Sequence, residues 1–138
     1  MKIKFISLLV SILYLPALFI GQFIGNIIGT LIISILGNFW FSFIINLISE
    51  IAHMLIGGII AGLFCGYVIT KVYKNYNFVY VSVIPWLVTI FYLSGIFIIA
   101  PYYGVDIDLV SFGDAGACIL TIVTFHIYLK NNQYYKNL

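Results

Sequence analysis

Residues 5–36 read FISLLVSILYLPALFIGQFIGNIIGTLIISIL. The stretch carries no charge and runs well past the roughly 20 apolar residues that cross a 30 Å hydrocarbon core. In water such a surface would have to be buried entirely, and lipid buries it at no cost. The reading of this stretch as a membrane helix decides the fold class. Three further apolar runs follow, at 51–70, 79–100 and 112–129. Turn chemistry separates them: Gly37-Asn38, then Lys71 to Asn77, then Pro101-Tyr102-Tyr103-Gly104.

The whole chain is as apolar as its first segment. Of 138 residues 64% are hydrophobic and 7% are charged, against about 25% charged in ordinary soluble domains. The length fits one domain, residues 1–138. The net charge of +2 and the absence of Arg exclude a nucleic-acid partner, because the bidentate phosphate clamp is missing. The expected fold is therefore all-α, an integral membrane four-helix bundle.

Charge gives the expected orientation. With four crossings Lys2, Lys4, Lys71, Lys74, Lys130 and Lys136 share one side, and Glu50, Asp106, Asp108 and Asp114 share the other. Lysine-rich loops stay in the cytoplasm, so both termini are expected there, in a multi-pass protein of the cell (cytoplasmic) membrane. Splitting residues 5–48 into two helices at Gly25-Asn26 would put Lys71, Lys74, Lys130 and Lys136 outside, against that rule. The opening Met1-Lys2-Ile3-Lys4 resembles a signal peptide. The apolar run exceeds a signal core of 7–15 residues and no A-x-A site follows it, so a first membrane helix is the better reading.

Residues 39–49 admit two readings. Ser42, Asn46, Ser49 and Glu50 share one helical face, and Trp40 sits at the start. The segment is either a short helix in the outer interface with Trp40 at headgroup depth, or an N-terminal extension of helix 2.

Small residues mark the packing faces. Gly21, Gly25 and Gly29 recur every four residues on helix 1, and Gly58, Gly62 and Gly66 do so on helix 2. Four-residue spacing keeps them on one face, where bare backbone lets helices approach in lipid. Both runs read as a glycine zipper, with the partner either inside the chain or in a second copy. Beside the first run lies a polar stripe, Gln22, Asn26 and Thr30. Amides are costly in hydrocarbon, so this stripe should face another helix or line a polar path.

Titratable candidates are few. Asn46, Glu50 and His53 stand at i, i+4 and i+7, one face near the outer boundary. A Glu–His pair can exchange a proton or hold an ion, and any activity should then depend on pH near neutrality. Two ligands do not make a zinc site, so no metal and no cofactor are expected. Asp106 and Asp108 read as a solvated outer loop. Ser111 and Asp114 have the spacing of a capping box. His126 is placed near the C-terminal end of helix 4. Cys65 and Cys118 lie at different depths and are read as packing residues.

Enzyme signatures are absent. There is no G-x-S-x-G, P-loop, C-x-x-C or dinucleotide fingerprint. The expected role is non-enzymatic, as an accessory or assembly component or as an aid to permeation of a small solute or ion. The expected partners are the lipid bilayer and either a second copy or another membrane protein. The alternatives are a membrane enzyme using Glu50 and His53, or a stress, toxin or immunity protein that binds another membrane protein.

Overall fold

The computed structural model describes residues 2–36 and 42–136. It is helical throughout, with no strand among the described residues. Four long helices alternate in direction: α1 (Lys2–Leu36), α2 (Phe43–Val72), α3 (Phe78–Tyr102) and α4 (Leu109–Lys136). Each is long and apolar enough to cross a membrane. The Gly37-Asn38 turn and Trp40 lie outside the described residues.

Local sequence explains the irregular turns. Pro16 lacks the N–H that would bond the Ile12 carbonyl, and its ring crowds that carbonyl. The helix tightens into a 3₁₀ turn at Ser11–Leu13, directly upstream. Pro101 has the same deficit, and α3 widens into a π turn at Gly95–Ile99 before it. A second π turn, His53–Gly57, interrupts α2. It leaves both His53 and Gly57 buried against α1.

Residues 43–49 belong to α2, continuous with the rest of that helix. Of the two readings of this segment, the helix extension is the one observed. Helix 4 also exceeds its apolar core of 112–129, because its polar end continues to Lys136. His126 is therefore not in the last turn. Its Nδ1 lies 2.7 Å from the Ile122 carbonyl, and its ring meets Phe78, Phe125 and Trp86.

The α4 cap lies one turn earlier than the Ser111–Asp114 spacing implies. Asp108 Oδ1 accepts from the Ser111 backbone N–H at 2.8 Å and from the Ser111 hydroxyl at 2.7 Å. The N-cap is thus Asp108. The Ser111 hydroxyl, then its backbone N–H, holds the Asp108 carboxyl below the usual carboxylate range. Asp114 is released from capping and turns into the bundle.

Glycines line the tight contacts. A Cβ at Gly21 would meet Ala61, and its next neighbours are the Gly57 carbonyl at 2.6 Å and the Ala61 Cα at 2.9 Å. One at Gly62 would lie 2.6 Å from the Thr121 carbonyl and 2.9 Å from the Phe125 nitrogen. Gly29 faces Ser49, Gly58 faces Ala117, and Gly66 faces Tyr128. Within this chain the first glycine run lies on α2 and the second on α4.

The core sits toward the lysine-bearing end. Tyr14, Ile69, Val81, Phe125 and Leu129 are fully buried there. The α2–α3 loop is tied onto the helices at two points. The Tyr76 hydroxyl donates to the Leu129 carbonyl at 2.9 Å, and the Asn77 N–H donates to Ser7 Oγ at 2.8 Å.

Candidate functional site

The opposite end gathers the titratable groups. His53 is 2% exposed. Its Nδ1 lies 3.7 Å from Glu50 Oε2 and 3.7 Å from Asp114 Oδ1. These are ion-pair separations, longer than hydrogen bonds. His53 Nε2 and Glu50 Oε2 are buried with no hydrogen-bond partner.

Missing side chains make room for this cluster. A Cβ at Gly25 would collide with the His53 ring, and one at Gly113 with the Glu50 carboxylate. At Gly116 it would collide with Met54. The imidazole therefore lies against bare α1 backbone, and the carboxylate fills a notch in α4. The three groups come from two helices, α2 and α4, and α1 closes the third side.

Polar groups continue inward from the cluster. The Tyr92 hydroxyl of α3 approaches both Gln22 and Asp114. Gln22 Nε2 is buried and unpartnered. One turn deeper, Cys118 Sγ donates to Thr89 Oγ1 at 3.8 Å. The Tyr14 hydroxyl lies near Thr89 and both cysteines, with no hydrogen bond of its own. Cys65 and Cys118 are buried free thiols. Beyond them the apolar core closes the bundle. The polar ladder is thus open-ended toward the acids and blind toward the lysines.

The expected site residues separate as follows. Glu50 and His53 come together. Asn46 is exposed, away from them. Gln22 is half-buried beside Tyr92, whereas Asn26 and Thr30 are exposed. The Thr30 hydroxyl bonds its own helix, donating to the Asn26 carbonyl at 2.8 Å. Among the described residues no set of three or more side chains has the geometry to hold a metal ion.

Asp114 and Tyr92 were not foreseen as site residues. A signal for Asp114 existed. Asp114, Cys118, Thr121 and Phe125 are spaced i, i+4, i+7, i+11 on one face, and the last three are fully buried. Small neighbours Gly113, Ala115, Gly116 and Ala117 mark that face as a close contact. Tyr92 has no comparable signal among the eleven tyrosines.

Chemically the cluster is a pair of carboxylates sharing one imidazole, in a site largely removed from water. Between them the three groups can carry a net charge of −2, −1, 0 or +1. An ionisable group inside a membrane is costly unless it is paired, and here each carboxylate has the His53 ring as its ion-pair partner. Compared with known protein families, with characterised proteins and with solved structures, the chain shows no match, so the functional reading rests on this geometry.

Proposed function

We propose that this chain is a small, non-enzymatic, multi-pass protein of the cytoplasmic membrane that takes a proton from the outer side onto the His53–Glu50–Asp114 cluster. Exchange of that proton helps a small ion or solute across. The lysine partition supports the orientation, with both termini and the α2–α3 loop in the cytoplasm.

One observation carries the reading. A histidine 2% exposed has two carboxylates 3.7 Å from a single ring nitrogen, and its other nitrogen is unpartnered. Buried polar atoms normally find partners. The carboxylate charge is assembled on the Nδ1 side of the ring, where it favours a proton on the imidazole. The blind inner end fits a carrier that must rearrange before release rather than an open pore.

Proteoliposomes containing the pure protein test this. An imposed pH gradient should collapse faster than in empty vesicles, and His53→Gln should remove the difference. Equal rates for wild type, His53→Gln and empty vesicles would overturn the reading. Activity appearing only with a second membrane protein would point to the accessory role. Turnover of a substrate, lost on Glu50→Gln, would point to an enzyme.

A further inference from the structure

Helix α3 leaves the bundle halfway along its length. Its buried residues, Val81, Ser82, Pro85 and Thr89, form one stripe and end there. None of residues Gly95–Ile99 or Ala100–Tyr102 is buried, and a Cβ built on Gly95 meets nothing within 4 Å. Helix α1 touches α3 chiefly through Lys2–Val10 and Ser11–Leu13. Beyond Leu13 the two helices separate and leave a slot.

The slot has a graded lining. A cavity of about 600 Å³ is bounded by Leu15 on α1 and by Leu87, Val88, Ile90, Phe91 and Tyr92 on α3. That volume lies within the usual range for small-ligand sites. Leu15, Gln22 and Asn26 stand at i, i+7 and i+11, so they share one face of α1. The face of α1 that lines the cavity at Leu15 turns polar beyond it, toward the acids. Tyr92 lines the slot and also approaches Gln22 and Asp114. A second cavity, of about 280 Å³, continues from Phe91 and Tyr92 toward Asp106 and Ser111.

Charge selects the occupant. Glu50, Asp106, Asp108 and Asp114 all belong to this end, and every lysine belongs to the other. The rings of Phe91 and Tyr92 line both cavities, and aromatic faces attract cations.

From these features we infer that the slot binds an amphiphilic organic cation entering from the bilayer. Its apolar body lies along Leu15, Leu87, Val88 and Phe91, and its charge lies at the Tyr92–Asp114 end. This deepens the proposed function, and it rests on that reading for the membrane placement and for the acid cluster. A cation there competes for the same carboxylate that attracts the His53 proton, which would couple the two.

Equilibrium dialysis of the full chain in neutral detergent tests the slot, with tetraphenylphosphonium as probe and tetraphenylborate as its anionic counterpart. Tetraphenylphosphonium should bind saturably, one per chain, and tetraphenylborate should not. Asp114→Asn should weaken binding by roughly tenfold or more, because it removes one partner of a desolvated charge pair. Leu87→Trp, on an exposed position lining the cavity, should do the same without touching the acids. Leu63→Trp, beside a different cavity, should leave binding unchanged. Equal binding of both ions would overturn the inference, as would full binding by both Asp114→Asn and Leu87→Trp. Proton uptake that depends on His53, without phosphonium binding, would remove the slot and leave the proton site. Phosphonium binding with no proton uptake would do the reverse.

Discussion

The two ends of this bundle are built from the same four helices and do opposite things. At the lysine end Ile69, Val81, Phe125 and Leu129 close on one another with no more than 2% exposure, and Tyr76 and Asn77 tie the loop down. At the acid end the interior holds an imidazole, two carboxylates and an amide, and α3 stands apart. The hydrophobic drive is non-directional, so apolar side chains need only fit one another in shape. A buried charge needs named partners. A helix pair that has invested its contact area in backbone-to-backbone approach can afford such partners locally. The glycine runs supply that approach along α1–α2 and α2–α4, and so hold the polar end together where packing alone would not.

The contrast between the ends breaks most sharply on topology. Single cysteines placed at Lys2 or Lys74 should react only with a cytoplasmic reagent, and one at Asp108 only with an external one. Labelling of Lys2 and Lys74 from opposite faces would dissolve the distinction altogether.

Next in size is the backbone contact on which both ends depend. Gly62→Leu drives atoms into the Thr121 carbonyl and the Phe125 nitrogen, which are main-chain groups that cannot swing aside. Overpacking of this kind costs about 1–3 kcal/mol or more. Ile33→Leu, on an exposed position, should stay within about 0.5 kcal/mol. Thermal unfolding in detergent compares the two, and equal stability would remove the glycine contact from the explanation.

The lysine end alone is probed by Tyr76→Phe. Loss of the hydrogen bond to Leu129 should cost about 1 kcal/mol. Burial first, and Tyr128 second, push the Tyr76 hydroxyl above its ordinary range. A raised folded value contributes stability that is complete below the unfolded value near pH 10. That contribution is lost as pH rises through the folded value. Wild type should therefore weaken at alkaline pH more than Tyr76→Phe, and parallel curves would discount the bond.

The smallest effect belongs to the exposed cap at the acid end. Asp108 is held below the usual carboxylate range by Ser111. Its contribution is present above the unfolded value near pH 4 and is lost as pH falls through the lowered folded value. Asp108→Ala should destabilise α4 slightly at neutral pH and flatten the acid limb. Asp108→Asn should keep the cap and also flatten it. Acid unfolding that is unchanged in both variants would place the cap elsewhere.

Legibility from sequence followed the same division. The four apolar runs, and the breaks after Val72 and Tyr102, are readable because a hydrocarbon core of fixed thickness demands runs of about this length. The faces carrying Gly21, Gly25, Gly29 and Gly58, Gly62, Gly66 were readable from spacing, though not what they would meet. The Glu50–His53 pair was visible for the same reason. Asp108, Ser111 and Asp114 are spaced by three, so two different caps satisfy one sequence pattern. Only the inward packing of Cys118, Thr121 and Phe125 distinguishes them. The slot beside α3 had no sequence signature, because the divergence of two helices is set by what they pack against.

The central claim is that His53 shares its proton with both acids. NMR titration of the His53 ring in detergent micelles tests it most directly, comparing wild type, Glu50→Gln and Asp114→Asn. Three distinct titration curves are expected, one for each arrangement of charge around the ring. Coincident curves would contradict a shared site and would leave His53 as a buried packing residue beside two independent carboxylates.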